Sequence, residues 1–223
     1  MLHDYRLFFR EYLRHFHNTG AIAPSSRWLA AALARYVQPG ENPLRILEVG
    51  PGTGAVTRRI VPRLGPDDSL DLVELNDRFV EHLQCRFASD PVFAAVADRA
   101  RIIHRPIEEL PAEARYDVII SGLPLNNFSV AAVEGILNVL AGLLAPGGTL
   151  SFFEYIAVRP ARALVSGKAD RRRLRGIAAA LAETLRRGEF RRECVWPNLP
   201  PAWVHHLRLN GQPPCGQGNN LLL

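Results

Sequence analysis

The residues with the clearest chemical purpose lie in one short block, Glu48-Val49-Gly50-Pro51-Gly52-Thr53-Gly54, at the end of an apolar run, RILEV (45–49). Glycines between a strand and a helix allow a tight turn and bring backbone close to a ligand, and the helix start presents free N–H groups. One acid, Glu48, stands two residues before the first glycine, and a second, Glu74, closes the next apolar run twenty residues after Gly54. A carboxylate at the end of the second strand is placed to accept both hydroxyls of a ribose. The spacing here is GxGxG, whereas dinucleotide sites use GxGxxG and hold a pyrophosphate on the helix start. An acid ahead of the loop suits instead a nucleoside ligand that carries an amino group. A dinucleotide site and a loop without a ligand are the competing readings.

Such a loop works only if a parallel sheet holds it, and the pattern of the chain supplies one. After RILEV and a helix over 54–63 come a strand at 69–75, a helix from Asn76 to about Ala88 with Asn76 as its cap, and strands at 100–104 and 116–121. A helix over 129–144 leads into a strand at 149–158, and a long helix over 169–187 into two last strands, 189–196 and 202–209, joined by the loop PNLPP. Strands alternating with helices predict an α/β doubly wound sheet, parallel for five strands and closed by an antiparallel hairpin. Ahead of it, residues 2–17 place Tyr5, Phe8, Phe9, Tyr12, Leu13 and Phe16 on one helical face with arginines opposite, and a second helix is expected from Ser26 to Val37. This divides the chain into a helical cap (1–40), a main domain (41–210) and a flexible tail (211–223).

Composition narrows the classes. With 48% hydrophobic and 22% charged residues the chain is an ordinary globular one, neither fibrous nor disordered. No apolar run reaches the length of a transmembrane helix, and the N-terminal residues do not read as a secretory signal. Cys85, Cys194 and Cys215 are far apart, so neither a disulfide framework nor a metal site is expected. The net charge is +5, but between Arg159 and Arg192 eleven basic residues face three acids, which leaves the remainder slightly acidic. That local excess fits an anionic partner, whether phospholipid, nucleic acid or acidic protein, and equally a solvated helix face.

The order of strand, glycine loop and second acid resembles the class I methyltransferases that use S-adenosylmethionine (SAM), a nucleoside with an amino group and no pyrophosphate. Further stretches resemble the bacterial phospholipid N-methyltransferases, which convert phosphatidylethanolamine stepwise to phosphatidylcholine. They are TGAIAPSSRWLAAAL, ILEVGPGTGAVTRRI, SGLPLNNF, LLAPGGTLSFFEY and WPNLPPAWVHHLRL, together covering roughly residues 5–210. The rRNA adenine dimethyltransferases have a comparable layout. The resemblance implies a Rossmann-like α/β fold with a seven-stranded, mostly parallel sheet. It also implies a SAM site formed by Glu48, Gly50, Pro51, Gly52, Thr53, Gly54, Glu74, Leu75, Ile107, Ser121, Gly122 and Leu123. Where the wider class has a Gly-Asp pair after the third strand, this chain has His104-Arg105-Pro106-Ile107, leaving the Ile107 N–H to meet the adenine.

The run after the fourth strand separates substrates. Enzymes acting on base amino groups resemble one another in an Asn/Asp-Pro-Pro-Tyr or Asn-Leu-Pro-Tyr run, whose polar head polarises the amine and whose aromatic stacks on the flipped base. Here the run is Gly122-Leu123-Pro124-Leu125, which counts against nucleic acid. With a phospholipid substrate, Tyr5, Phe8, Phe9 and Tyr12 would enter the membrane interface and Arg159, Arg171 and Arg172 would meet anionic headgroups; the aromatic stripe also fits packing on its own domain. The resemblance further implies a cytoplasmic protein held peripherally at the inner face of the plasma membrane. Around the reacting methyl, Tyr155, Asn126 and Glu154 are the candidate catalytic residues. Tyr155 also reads as a core aromatic, Glu154 as a solvated acid and His104 as a strand-end histidine. His205 and His206 sit in the last strand, where alternation is expected to expose at least one.

Overall fold

A computed structural model describes residues 25–111, 113–156 and 167–209. Seven strands form one sheet in the order β3-β2-β1-β4-β5-β7-β6. They are β1 (Arg45–Val49), β2 (Ser69–Glu74), β3 (Ala100–His104), β4 (Tyr116–Ser121), β5 (Leu144–Tyr155), β6 (Glu189–Val195) and β7 (Ala202–Leu207). The first five are parallel, and β7 runs antiparallel to both β5 and β6. The Rossmann-like expectation therefore holds, closing hairpin included. Chain order reverses between β1 and β4, and the crevice at the carboxyl ends of those strands is where open α/β sheets bind ligands.

Parallel strands covered on both faces read as continuous apolar runs, and two cores result. On one face Leu47, Val49, Ile119, Phe152 and Leu207 pack beneath α5 (Val130–Leu143) and α6 (Lys168–Arg186). On the other, Ile46, Leu72, Ile120, Phe153 and Val204 meet α1 (Arg27–Leu33) and α2 (Thr57–Ile60). Ser26 caps α1, with its Oγ accepting from the Leu29 N–H. Asn76 caps α3 (Asp77–Ser89), accepting from the N–H groups of Arg78 and Phe79. Asn76 caps its helix where the sequence placed it, whereas the helix expected from Ser26 to Val37 runs only from Arg27 to Leu33, with Ser26 as its cap and the chain turning at 34–36.

Several expectations need correction. The helix expected over 54–63 is one α-helical turn continued by a 3-10 turn at Val61–Arg63, because Pro62 cannot donate the bond that would extend it. The fifth strand starts at Leu144 rather than 149, since Leu144 already pairs with Tyr116 before Ala145–Gly148 loops out. A short helix, α4 (Pro91–Ala94), and 3-10 turns at Ile107–Glu109 and Leu125–Asn127 went unread; single turns carry too little periodicity to register.

The largest correction concerns β7. His205 and His206 are both buried. Alternation exposes one of two neighbours only where one face of the sheet is solvated, and β7 is covered on both. His206 faces the α1 side, between Ser151 Oγ at 2.8 Å and Glu193 Oε1 at 3.1 Å. Burial lowers its pKa to about 4 against the pull of Glu193, so the ring is neutral and donates from Nε2 to the carboxylate. Residues 2–17, Arg159 and the tail 211–223 lie outside the described residues. No helix among the described residues is long and apolar enough to cross a membrane.

Candidate functional site

The crevice at the strand-order reversal is built from the ends of β1, β2 and β4. The glycine loop is held on both sides by backbone: the Gly50 N–H donates to Val73 O at 2.9 Å, and the Gly122 N–H to Val49 O at 2.8 Å. The two loops pass so close that a Cβ on Gly122 would lie 2.7 Å from Gly50 O, and one on Gly50 would lie 2.7 Å from a Leu123 methyl. Gly50 and Gly122 thus let the loops close on each other. Gly52 differs: its φ is +56°, and the space where a Cβ would project is open. It is the glycine of this loop beside which a ligand can lie against bare backbone.

Two buried carboxylates flank that turn. Glu74 Oε2 accepts from the Gly52 N–H at 3.0 Å, and Oε1 from the N–H groups of Leu75 and Asn76, both at 2.9 Å. Burial pushes its pKa up, and these backbone donors and His104 pull against that. Oε2, with one backbone donor, keeps a lone pair for a sugar hydroxyl. Glu48 is wholly buried on the α2 side, where Thr57 Oγ1 donates to its Oε2 at 2.7 Å. Its Oε1 has no partner among the described residues. Desolvation raises its pKa to about 8, Thr57 opposes this, and the charge of Glu74 adds to it. An open glycine turn between an acid with an orphaned oxygen and an acid with a spare lone pair fits a cationic nucleoside. The donors and acceptors that SAM needs are therefore present.

The remaining expected contacts lie around the same crevice. Pro51 is buried, and Thr53 is fixed by Arg86 Nη1 donating to its carbonyl at 2.9 Å. Ile107 is buried and opens a 3-10 turn, so its N–H has no partner within that turn. Ser121 is buried at the end of β4, its Oγ receiving the Leu123 N–H at 3.4 Å. His104 is partly exposed, with Nε2 3.3 Å from Leu75 O and 3.1 Å from Asp77 Oδ1, as a strand-end histidine should be.

The three catalytic candidates divide between the faces of the sheet. Asn126 lies in the 3-10 turn after β4, buried, with Oδ1 unpartnered among the described residues. Arg173 Nη1 on α6 donates to the carbonyls of Asn126 (2.9 Å) and Phe128 (2.7 Å) while Asp170 holds the guanidinium, so α6 pins this turn. Glu154 is on the α5/α6 face at the carboxyl end of β5, its Oε1 4.0 Å from His205 Nε2. His205 in turn has Nδ1 2.6 Å from Glu189 Oε1. Tyr155, one residue on, points to the opposite face and packs edge-on against Phe153 with centroids 5.1 Å apart; burial raises its pKa. Its surroundings are those of a core aromatic. Leu123, Leu125 and Phe128 are all buried in the α5/α6 core, so the loop after β4 offers no free aromatic to stack on a base. Arg171 and Arg172 are exposed at the start of α6; Tyr5, Phe8, Phe9, Tyr12 and Arg159 lie outside the described residues.

Sequence reasoning missed Thr57, Arg173 and the His205–Glu189 pair. Arg173 had a faint signal, an Asp–Arg pair at i,i+3 on one helix face. Thr57 and His205 had none, because their partners are set by packing alone.

The comparisons with known proteins agree with this geometry. A family described as a methyltransferase domain matches residues 46–148. Over 148 residues the chain is 31% identical to an ornithine lipid N-methyltransferase of Singulisphaera acidiphila, covering 66% of this chain and 76% of that protein. Among solved structures, a putative O-methyltransferase from Klebsiella pneumoniae superposes with a TM-score of 0.63 at 18% identity, covering 91% of this chain and 89% of the other. The O-methyltransferase TomG of Streptomyces achromogenes, solved in complex with SAM, gives 0.58 at 18% identity over 90% and 87%. At such identities the structures speak to the fold alone.

Proposed function

The chain belongs to the class I SAM-dependent methyltransferases, and we propose that it methylates the amino group of a membrane amino lipid, phosphatidylethanolamine, at the cytoplasmic face of the membrane. The observation that carries this reading is the 31% identity to an ornithine lipid N-methyltransferase, whose name also specifies a lipid amine. The loop after β4 agrees with it, since Leu123, Leu125 and Phe128 are committed to the core and leave no platform for a base.

When bound, SAM supplies an electrophilic methyl on a sulfonium whose departure leaves a neutral thioether. The protein's part is to hold, orient and dehydrate. Gly52 backbone and Glu74 receive the nucleoside, and Glu48 offers its free oxygen to the amino group. A lipid ammonium titrates near lysine, about 10.4, so it must give up a proton to solvent before its nitrogen can attack. Asn126 Oδ1 accepts a hydrogen bond from the incoming amine and orients its lone pair. Glu154, at the end of β5, pairs with the ammonium as it arrives and with the more substituted cation that leaves.

The test incubates the protein with methyl-labelled SAM and, separately, liposomes containing phosphatidylethanolamine, liposomes containing ornithine lipid, and RNA. Label in phosphatidylethanolamine is expected. Label in ornithine lipid alone would replace the headgroup but keep the lipid class. Label in RNA, the outcome that the exposed arginines of α6 would favour, would overturn the reading. SAM binding with no labelled product would point to a binding module without turnover.

A further inference from the structure

Among the described residues four large hydrophobic side chains are exposed: Trp28, Phe190, Trp196 and Leu199. Phe190 stands at the start of β6, where Tyr36 meets its ring edge-on and the Arg208 guanidinium lies 4.7 Å above it. The other three gather at the opposite end of the sheet, the carboxyl edge that carries the site. Trp196 and Leu199, 70% and 87% exposed, lie in the loop between β6 and β7. Trp28 is on the first turn of α1, and the Ser26 N–H just before it donates to Asn198 Oδ1 in that loop at 3.1 Å. Asn198 is buried and donates from Nδ2 to Pro200 O at 2.7 Å, so the loop displaying these side chains is held from inside. The Ile156 N–H donates to Pro201 O at 2.9 Å, joining the loop to the end of β5 next to Glu154 and Tyr155.

Basic groups flank this rim on both sides. Arg27 is exposed, with its guanidinium 4.6 Å over the Trp28 ring. Across the sheet, exposed Arg171 and Arg172 occupy the start of α6, which Arg173 ties to the turn after β4. Indole rings interleaved with guanidinium groups match the boundary between headgroups and acyl chains of an anionic bilayer, where tryptophan is favoured and basic side chains meet phosphate.

We propose that this rim is the protein's bilayer contact, with Trp28, Trp196 and Leu199 entering the interface and Arg27, Arg171 and Arg172 lying against anionic headgroups. The carboxyl edge then faces the membrane, so a lipid amine has only a short way to travel to Asn126 and Glu154. The choice of a lipid surface as partner rests on the amino-lipid reading, but the test does not need methyl transfer. The full chain is sedimented with vesicles of phosphatidylglycerol and phosphatidylcholine, which contain no primary amine other than the protein's own.

The double variant Trp196→Ser, Leu199→Ser is expected to lower the bound fraction's partition coefficient by about tenfold. Its SAM affinity, measured by calorimetry, should stay that of the parent. Leu199→Glu, a single change at a mostly exposed position, should act in the same direction and guards against a folding defect in the double variant. Parental vesicle binding by both variants overturns the proposal. So does a self-association in solution that the variants abolish while vesicle binding is absent from the parent. Rim-dependent vesicle binding with no label in any lipid keeps the membrane contact and removes the substrate reading.

Discussion

Glu48 is the residue whose environment says most about the ligand. Its carboxyl is held near pKa 8 by burial, against an ordinary 4.5, so the folded protein carries a proton here at neutral pH that the unfolded chain lacks. That raised pKa favours the folded state fully below about pH 4.5, and the contribution is lost as pH rises toward 8. Glu48→Gln should therefore flatten the decline of the melting temperature between about pH 5 and pH 8; an unchanged slope would remove Glu48 as its source. A cation brought next to Oε1 favours the charged form, so SAM binding at pH 7 should release about one proton. Calorimetry in two buffers of different ionisation enthalpy reads that directly, and release that persists in Glu48→Gln would assign it elsewhere. Glu74→Ala should weaken SAM binding by about 1–3 kcal/mol through the lost charge-assisted bonds. It should also lower the melting temperature without ligand, since three backbone N–H groups lose their acceptor. Parental affinity in that variant would exclude Glu74 from the ribose.

Between elements, the site depends on how closely the β1 and β4 loops approach. Gly122→Ala would set a methyl 2.7 Å from the Gly50 carbonyl, a backbone atom that cannot swing aside. The expected cost is about 1–3 kcal/mol of stability, seen as a lower denaturation midpoint. Gly52→Ala meets no neighbour and strains only a φ of +56°, about 1 kcal/mol, but it puts a methyl into the open turn. Its SAM affinity should suffer more than its stability, the reverse of Gly122→Ala. If both variants lose the two properties in equal measure, the distinction between packing glycine and ligand-facing glycine fails. The elements themselves were largely legible. Asn76 marks a helix start by a local hydrogen bond to the next turn, and the runs at 45–49 and 116–121 match their strands because a doubly covered parallel strand is mostly apolar. The run at 100–104 also matches, although it is the edge strand and none of its residues is buried. Single turns such as Pro91–Ala94 were not legible, because four residues span barely one helical turn and cannot repeat a hydrophobic period.

For the whole molecule, the positive charge is gathered on α6 and the segments beside it, and its start shares the carboxyl edge with the exposed tryptophans. An attraction between exposed arginines and an anionic bilayer acts over a Debye length, about 10 Å at 0.1 M salt and about 3 Å at 1 M. Binding to phosphatidylglycerol vesicles should thus fall steeply as salt rises, while SAM affinity, set by buried carboxylates, should change little. Salt-independent vesicle binding would leave the arginines without a role there and place the whole contact on the apolar side chains.

The glycine loop, its two acids and the sheet that holds them were determined by sequence alone, because each rests on chemistry within a few residues or on a period repeated along the chain. Which side chains meet was decided only in three dimensions. Glu48 and Thr57 come together through the fold of one turn, and Arg173 reaches back 47 positions to Asn126. His205 and His206 are both covered because distant helices pack on both faces of β7, which no local pattern encodes. Burial and partnership depend on what the distant chain places on top of a residue. That is also why a tryptophan at 28 and a leucine at 199 become one surface only once the sheet has closed.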